Sequence, residues 1–519
     1  MSKRVMGAWY GRIGLACLLL VGASAPIQAP LAQPAPRSVP ALGDGHDLTL
    51  GSERQIGDRI VRELYRDPDY LDDPVLSEYL QGLWRPLLEA ARLRGELSPE
   101  MDERFAWQLL LGRDRSVNAF ALPGGYFGVH LGLVAVTANR DELAAVLAHE
   151  LSHVTQRHIA RMMGQQARQA PWIVGAMILG AIAAAKNPEA ANAIMAGGQA
   201  LAIQNQLNFS RDMEREADRV GFGLLAQAGF SESGAVGMFE RLMQASRLND
   251  NGSFPYLRSH PLTTERISDM RARLGLSGPA ASEPDLVHGL MAARARVMAQ
   301  PGVDLLRAWA VEGARALEGP LPLARRVAEG YAAALAWAQL RDYPRAQALA
   351  ERLAALLNND AAAQRSVRWL QAELALRAGD PRRALAVLPA GPVAGAEPVR
   401  AELLLLSRAR QAAGDRPAQQ AATAALQTWV VQHPSDATAW QLLSELLSAQ
   451  GQPVRALRAQ AEAQVARLDY AAAVDRLKAA QDLVRQAGAG TSADHFEASI
   501  VDARLRQVGS LLRQQALER

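Results

Sequence analysis

The segment LAAVLAHELSHVTQRHIARMM, Leu143 to Met163, carries apolar residues at helical spacing and sets His149, Glu150 and His153 among them. Four helical residues turn through about 400°, so the two imidazoles leave one face, a turn apart. Neutral imidazole nitrogens are good zinc donors. In an H-E-x-x-H pattern Glu150 is the expected general base toward a metal-activated water. Leu143, Val146, Leu147, Leu151 and Val154 form the apolar stripe, and Glu150 falls inside it. A carboxylate buried there is costly without a partner, and a metal site supplies one. The plain alternative is an ordinary helix with a satisfied histidine pair. Asn139, with Glu142 three residues on, predicts the start of the helix, and Gly164 its end, so a single helix is expected between them.

A catalytic zinc takes three protein ligands and a water, so a third side chain is required. Glu214 and Asp218, four apart in the helical segment DMEREADRVGFGLLAQAG, share a face with Gly221 and Leu225. The glutamate can reach the metal, the aspartate can orient a ligand histidine from behind, and the glycine lets two helices approach closely. Arg211, Asp212, Arg215, Glu216 and Arg219 surround the pair, and a solvated charged face is the competing reading. His158 lies five residues past His153, about 140° off the ligand face, and is expected at the surface or against a partner. The longer metzincin spacing would put a third histidine at position 159, which is Ile159.

Upstream, helices are expected from Ser52 to about Arg66 and from Asp73 to about Gly95. Strands are expected over Phe105–Leu111 and over Val117–Leu131, the latter broken by a Pro123-Gly124-Gly125 turn. The 519 residues suggest two to four domains. Lys3, Arg4 and Arg12, the apolar run Ile13–Ala25 and a small-residue, proline-rich tail read as a secretory signal over residues 1–33, hence a periplasmic protein. An uncleaved membrane anchor is the other reading of that segment. The one cysteine, Cys17, lies inside it, so no disulfide is expected. The formal charge of +3 comes from the basic residues of this leader, and no basic block supports nucleic-acid binding.

The peptidase-like motifs are assigned to residues 34–276. After the linker Ser277–Asp285 the composition turns to Ala, Leu, Arg and Gln, and residues 286–519 read as helical pairs. Turns at Arg341-Asp342, Gly379-Asp380, Gly414-Asp415 and Gly451-Gln452 recur about every 35–38 residues, close to the tetratricopeptide period. Such stacks leave a concave surface that usually binds polypeptide. A nonrepeating bundle is the alternative. The apolar run Trp172–Ala185 reads as a buried helix, a mobile cover over the site or a membrane-surface contact; it is short for a membrane span.

HELSH at 149–153, followed by E-x-x-A-D as Glu214-Arg-Glu-Ala-Asp218, resembles the zinc metallopeptidases of the HtpX and CAAX prenyl protease type. The match extends through VNAFALPGGYFGVH, HVTQRHIAR and SHPLTTERI. The resemblance implies a mainly α fold: a zincin-type α+β metallopeptidase domain with a small sheet, followed by an all-α TPR-like solenoid. It implies one Zn2+ per chain held by His149, His153 and Glu214, with Glu150 as base and Asp218 supporting a ligand. It implies that His260 either occupies the open metal position and holds the enzyme off, or stabilises an oxyanion; a loop histidine held by Pro261 is the bland reading. A strand including Asn118, Ala119 and Phe120 would take substrate by main-chain pairing. With a leader in front and repeats behind, the implied function is a periplasmic zinc metalloendopeptidase that degrades misassembled outer-membrane β-barrel proteins and assists their assembly, its TPR domain meeting the barrel-assembly complex. The alternative is a TPR chaperone or adaptor with a silenced or structural metal site.

Overall fold

A computed structural model describes residues 48–166, 211–248, 254–274, 285–389, 398–487 and 492–517. The leader, the run 172–185 and most of the linker 277–285 lie outside the described residues. The chain is mainly helical with one small sheet, as the sequence implies. The first part runs α1 (Leu50–Tyr65), β1 (Tyr70–Leu71), α2 (Pro74–Leu93), α3 (Pro99–Arg104), β2 (Gln108–Gly112), β3 (Ala119–Leu122) and β4 (Tyr126–His130). Then come α4 (Leu131–Val136), α5 (Arg140–Thr155), α6 (His158–Gln166), α7 (Arg211–Gln227), α8 (Ser233–Leu248), α9 (Tyr256–Ser259) and α10 (Thr264–Leu274).

The strand order is β1-β2-β4-β3, with β2 parallel to β4 and the outer pairs antiparallel. The strand β1 has no counterpart in the sequence reading, since two residues carry no periodicity. Gly124 and Gly125 turn the β3–β4 hairpin at φ +77° and +79°. A Cβ on either would lie within 3.0 Å of a neighbour, Arg54 Cα or Phe105 Cβ, so the turn needs both glycines. The hairpin leaves β3 as a sheet edge lying against α5.

Helix α5 is buried on every side from Asp141 to Thr155, so it is a central helix rather than the amphipathic one its stripe suggested. Its start follows the expectation: Asn139 Oδ1 accepts the Glu142 N–H at 2.9 Å. The Glu142 carboxylate reaches back to the Ala138 N–H at 2.8 Å and pairs with Arg241 on α8 at 2.8 Å. Its end does not follow. The expected single helix breaks after Thr155, where Arg157 adopts a left-handed φ of +53°, and α6 begins at His158. Arg157 is held in that conformation by the Leu48 carbonyl and the buried Glu53 of α1, the latter at Nε···Oε1 2.9 Å.

Helix α11 (Leu286–Met298) and eleven further helices between Val303 and Leu517 make up the rest of the described residues. The four expected turns separate the paired helices 323–339 and 343–356, 361–377 and 381–387, 400–413 and 416–432, and 437–449 and 453–466. Arg341, Gly379, Gly414 and Gly451 take positive φ there. Asp342, Asp380 and Asp415 then cap the following helices, each with a proline in the first turn. Helix α11 packs on α2, α4 and the paired helices, so one continuous apolar core joins both parts of the chain. Two salt links cross the same junction. Arg294 pairs with Asp73 at 2.6 Å and Glu373 at 2.8 Å, and Arg400 pairs with Asp72 and Asp436 at 2.7 Å each. Among the described residues no helix is long and apolar enough to cross a membrane.

Candidate metal centre

Helices α5 and α7 pack side by side because Gly221 presents no side chain where they touch. A Cβ there would sit 3.2 Å from the Ala148 carbonyl and the His149 nitrogen. That approach brings Glu214 to the two histidines. His149 Nε2 and His153 Nε2 are 3.0 Å apart, and Glu214 lies 3.5 Å from the first and 3.4 Å from the second. His260, at the end of α9, closes the group: its Nδ1 is 3.3 Å from His149 Nε2 and 2.9 Å from Glu214 Oε1. One donor atom from each of these four buried residues lies within 4.8 Å of all the others, an arrangement that could hold a metal ion. Two donors about 2.0–2.1 Å from one tetrahedral ion sit roughly 3.3 Å apart, so the spacing suits a single such ion.

Glu150 is 1% exposed, and neither carboxylate oxygen has a hydrogen-bond partner among the described residues. His260 Nε2 stands 3.5 Å from its Oε1. A buried carboxylate left in this way, beside converging donors, fits a site completed by an ion and the water it carries.

Behind the cluster, His149 Nδ1 is 3.0 Å from Asp218 Oδ1. Arg266 of α10 holds that carboxylate with two bonds of 2.6 and 2.7 Å and sets Nη1 2.8 Å from Glu214 Oε2. The charges follow from this packing. Burial opposes a charge on His149, but Asp218 and Glu214 outweigh it and push the pKa up to about 10. His153, buried and facing the charged His149, is held well below the ordinary histidine value. Burial favours a neutral Glu214, yet His260 and His149 hold it well below the usual carboxylate range. Asp218 is likewise lowered, burial being outweighed by Arg266 and His149. Glu214 and Asp218 are thus held ionised, as a cation beside them requires.

The structure brings His149, Glu150, His153, Glu214, Asp218 and His260 together. Ala119 and Phe120 open the edge strand β3 beside α5, with Asn118 just ahead of them; Asn118 is buried and its carbonyl accepts the His130 N–H at 3.0 Å. His158 corrects the sequence reading. It is fully buried, not at the surface, with Nδ1 2.9 Å from His153 Nδ1 and Nε2 3.0 Å from Glu216 Oε2. The 100° rotation per residue does not carry across the break at Arg157. Arg266 and Tyr256 also pack on the cluster. The Tyr256 ring lies 4.7 Å from the His260 ring, and Arg266 stands within the quoted SHPLTTERI. A basic residue in that motif, downstream of two spaced carboxylates, was the available signal.

The profile of peptidase family M48 matches residues 92–274, which contain all six clustered side chains. A Vibrio cholerae relative bearing the name beta-barrel assembly-enhancing protease is 35% identical over 341 residues, covering 65% of this chain and 67% of that protein. The Escherichia coli K12 beta-barrel assembly-enhancing protease is 32% identical over 284 residues, 53% of this chain and 55% of its own length. The mitochondrial metalloendopeptidase OMA1 of Saccharomyces cerevisiae is 28% identical over 201 residues, 38% of this chain and 55% of that one. The chain thus spans about two thirds of the first and about half of the other two. Identity over that span, together with the four-residue donor cluster inside the matched segment, places it: the chain belongs to peptidase family M48 and is a metallopeptidase.

Proposed function

We propose that the chain is a periplasmic zinc metalloendopeptidase whose clients are misassembled outer-membrane β-barrel proteins. His149, His153 and Glu214 hold the ion, Glu150 is the base, and Asp218 fixes His149. Zinc, when bound, polarises a peptide carbonyl and lowers the pKa of a water. Glu150 takes the proton from that water on its carboxylate and returns it to the leaving amine. The edge strand β3, Ala119 and Phe120 with Asn118 just ahead of them, takes an extended client by main-chain hydrogen bonds, which accounts for tolerance of client sequence. The helical pairs hold a polypeptide client or the barrel-assembly complex. The names of the Vibrio cholerae and Escherichia coli relatives support the client class. The observation that carries the reading is the buried Glu150 carboxylate, without a hydrogen bond among the described residues, beside four converging donors.

One observation favours a second reading. His260 Nδ1 already sits with the other donors, and a closed four-residue set is what a structural or silenced site would have. The chain would then act as a chaperone or adaptor. Cleavage of an unfolded β-barrel client decides between them. Wild type and His260→Ala should cleave while Glu150→Gln, with unchanged zinc content, should not. Equal cleavage by wild type and Glu150→Gln, or none even with His260→Ala, would remove the peptidase mechanism.

A further inference from the structure

His158 is a buried imidazole that the proposed mechanism does not use, and its surroundings fix which way its hydrogen bonds run. Glu216 Oε2, 3.0 Å from His158 Nε2, also receives Arg161 Nη1 at 2.8 Å. A carboxylate paired with arginine only accepts, so the His158 proton is on Nε2 and its Nδ1 is an acceptor. That acceptor faces His153 Nδ1 at 2.9 Å. The outer end of the chain therefore sets the inner end: the His153 proton lies on Nδ1, and its Nε2 lone pair faces the donor cluster.

We infer that His158 is a positioning residue, which fixes the tautomer and ring orientation of His153 so that Nε2 is offered to the ion. The inference rests on the zinc reading above. Its architecture parallels that behind the other histidine. His149 leans on Asp218, which Arg266 holds; His153 leans on His158, which Glu216 and Arg161 hold. The acceptor on the second side comes from the start of α6, after the left-handed turn at Arg157. Partners behind a ligand histidine raise its basicity and typically govern metal affinity by about 10–100-fold.

The test is zinc affinity by chelator competition on the purified chain, with the visible spectrum of the cobalt-substituted protein as a second readout. His158→Leu removes the acceptor and should weaken zinc binding about 10–100-fold and alter the cobalt spectrum. His158→Asn places an amide oxygen where Nδ1 was and should stay within about threefold of wild type, with the wild-type spectrum. Wild-type affinity in a folded His158→Leu variant, or equal losses in both variants, overturns the inference. If His158→Leu fails to fold, Glu216→Leu decides: it frees the His158 proton and should cost about 3–10-fold, and no loss overturns the claim. Absence of zinc binding by the wild type would instead sink the metal reading itself.

Discussion

Arg266 grips Asp218 through Nε and Nη2, at 2.6 and 2.7 Å, from 48 residues away in the chain. It also faces Glu214, so one buried guanidinium touches two buried carboxylates of the site. Arg266→Ala should destabilise the metal-free protein by roughly 3–5 kcal/mol, because Asp218 loses its two-bond partner and Glu214 a facing positive charge, both buried. Arg266→Lys should recover only part, since an ammonium cannot match the bidentate geometry. Urea unfolding of the three proteins checks this.

Gly221 sets the distance between the helix that carries the histidines and the helix that carries Glu214. Gly221→Val should cost about 2 kcal/mol by overpacking and should weaken zinc binding, since Glu214 is pushed from the imidazoles. Gly221→Ala has a partial offset of about 1 kcal/mol from helix propensity and should be mild. Thermal melts with and without added zinc separate the two effects. Zinc at about a hundred times its Kd should stabilise wild type by roughly 2.7 kcal/mol and Gly221→Val by less.

His130 should make stability depend on pH outside the metal centre. Burial, only partly opposed by Asp114, lowers its pKa from 6.5 to about 4. Between those values the unfolded chain binds a proton that the folded one does not. Stability is thus fully present above pH 6.5, falls as pH drops through the window, and levels off below about 4. The loss is at most about 3 kcal/mol. Unfolding free energies measured across this range should slope downward toward acid, and His130→Asn should flatten the slope.

Arg294 ties Asp73, just ahead of α2, to Glu373 of the helical pairs; Arg294 and Asp73 are buried and Glu373 is half-buried. A double-mutant cycle of Arg294→Met and Asp73→Asn should give a coupling of about 1–3 kcal/mol in urea unfolding. Additivity of the two changes would show that this link does not hold the parts together.

The donors were legible because helical periodicity is local. Two residues four apart share a face whatever the rest of the chain does, and this placed His149 with His153 and Glu214 with Asp218. The Asn139 cap and the Gly124-Gly125 turn were legible for the same reason. His158 was misplaced because a single left-handed residue, Arg157, resets the rotation, and nothing in its sequence marks it; the contact with Glu53 that holds it comes from about a hundred residues upstream. Arg266 escaped because a salt link between separate helices has no period. The burial of α5 on every side depended on α2, α7, α8 and β3 at once and could not be read from one stripe.

Asp72 and Asp73 are consecutive, yet each clasps an arginine from a different helix of the second half, Arg400 and Arg294. Two bolts through adjacent holes leave no axle. Any swivel about one clasp strains the other, so a load pulling on the helical stack is delivered to the base of α2 as a torque, not dissipated at a free joint.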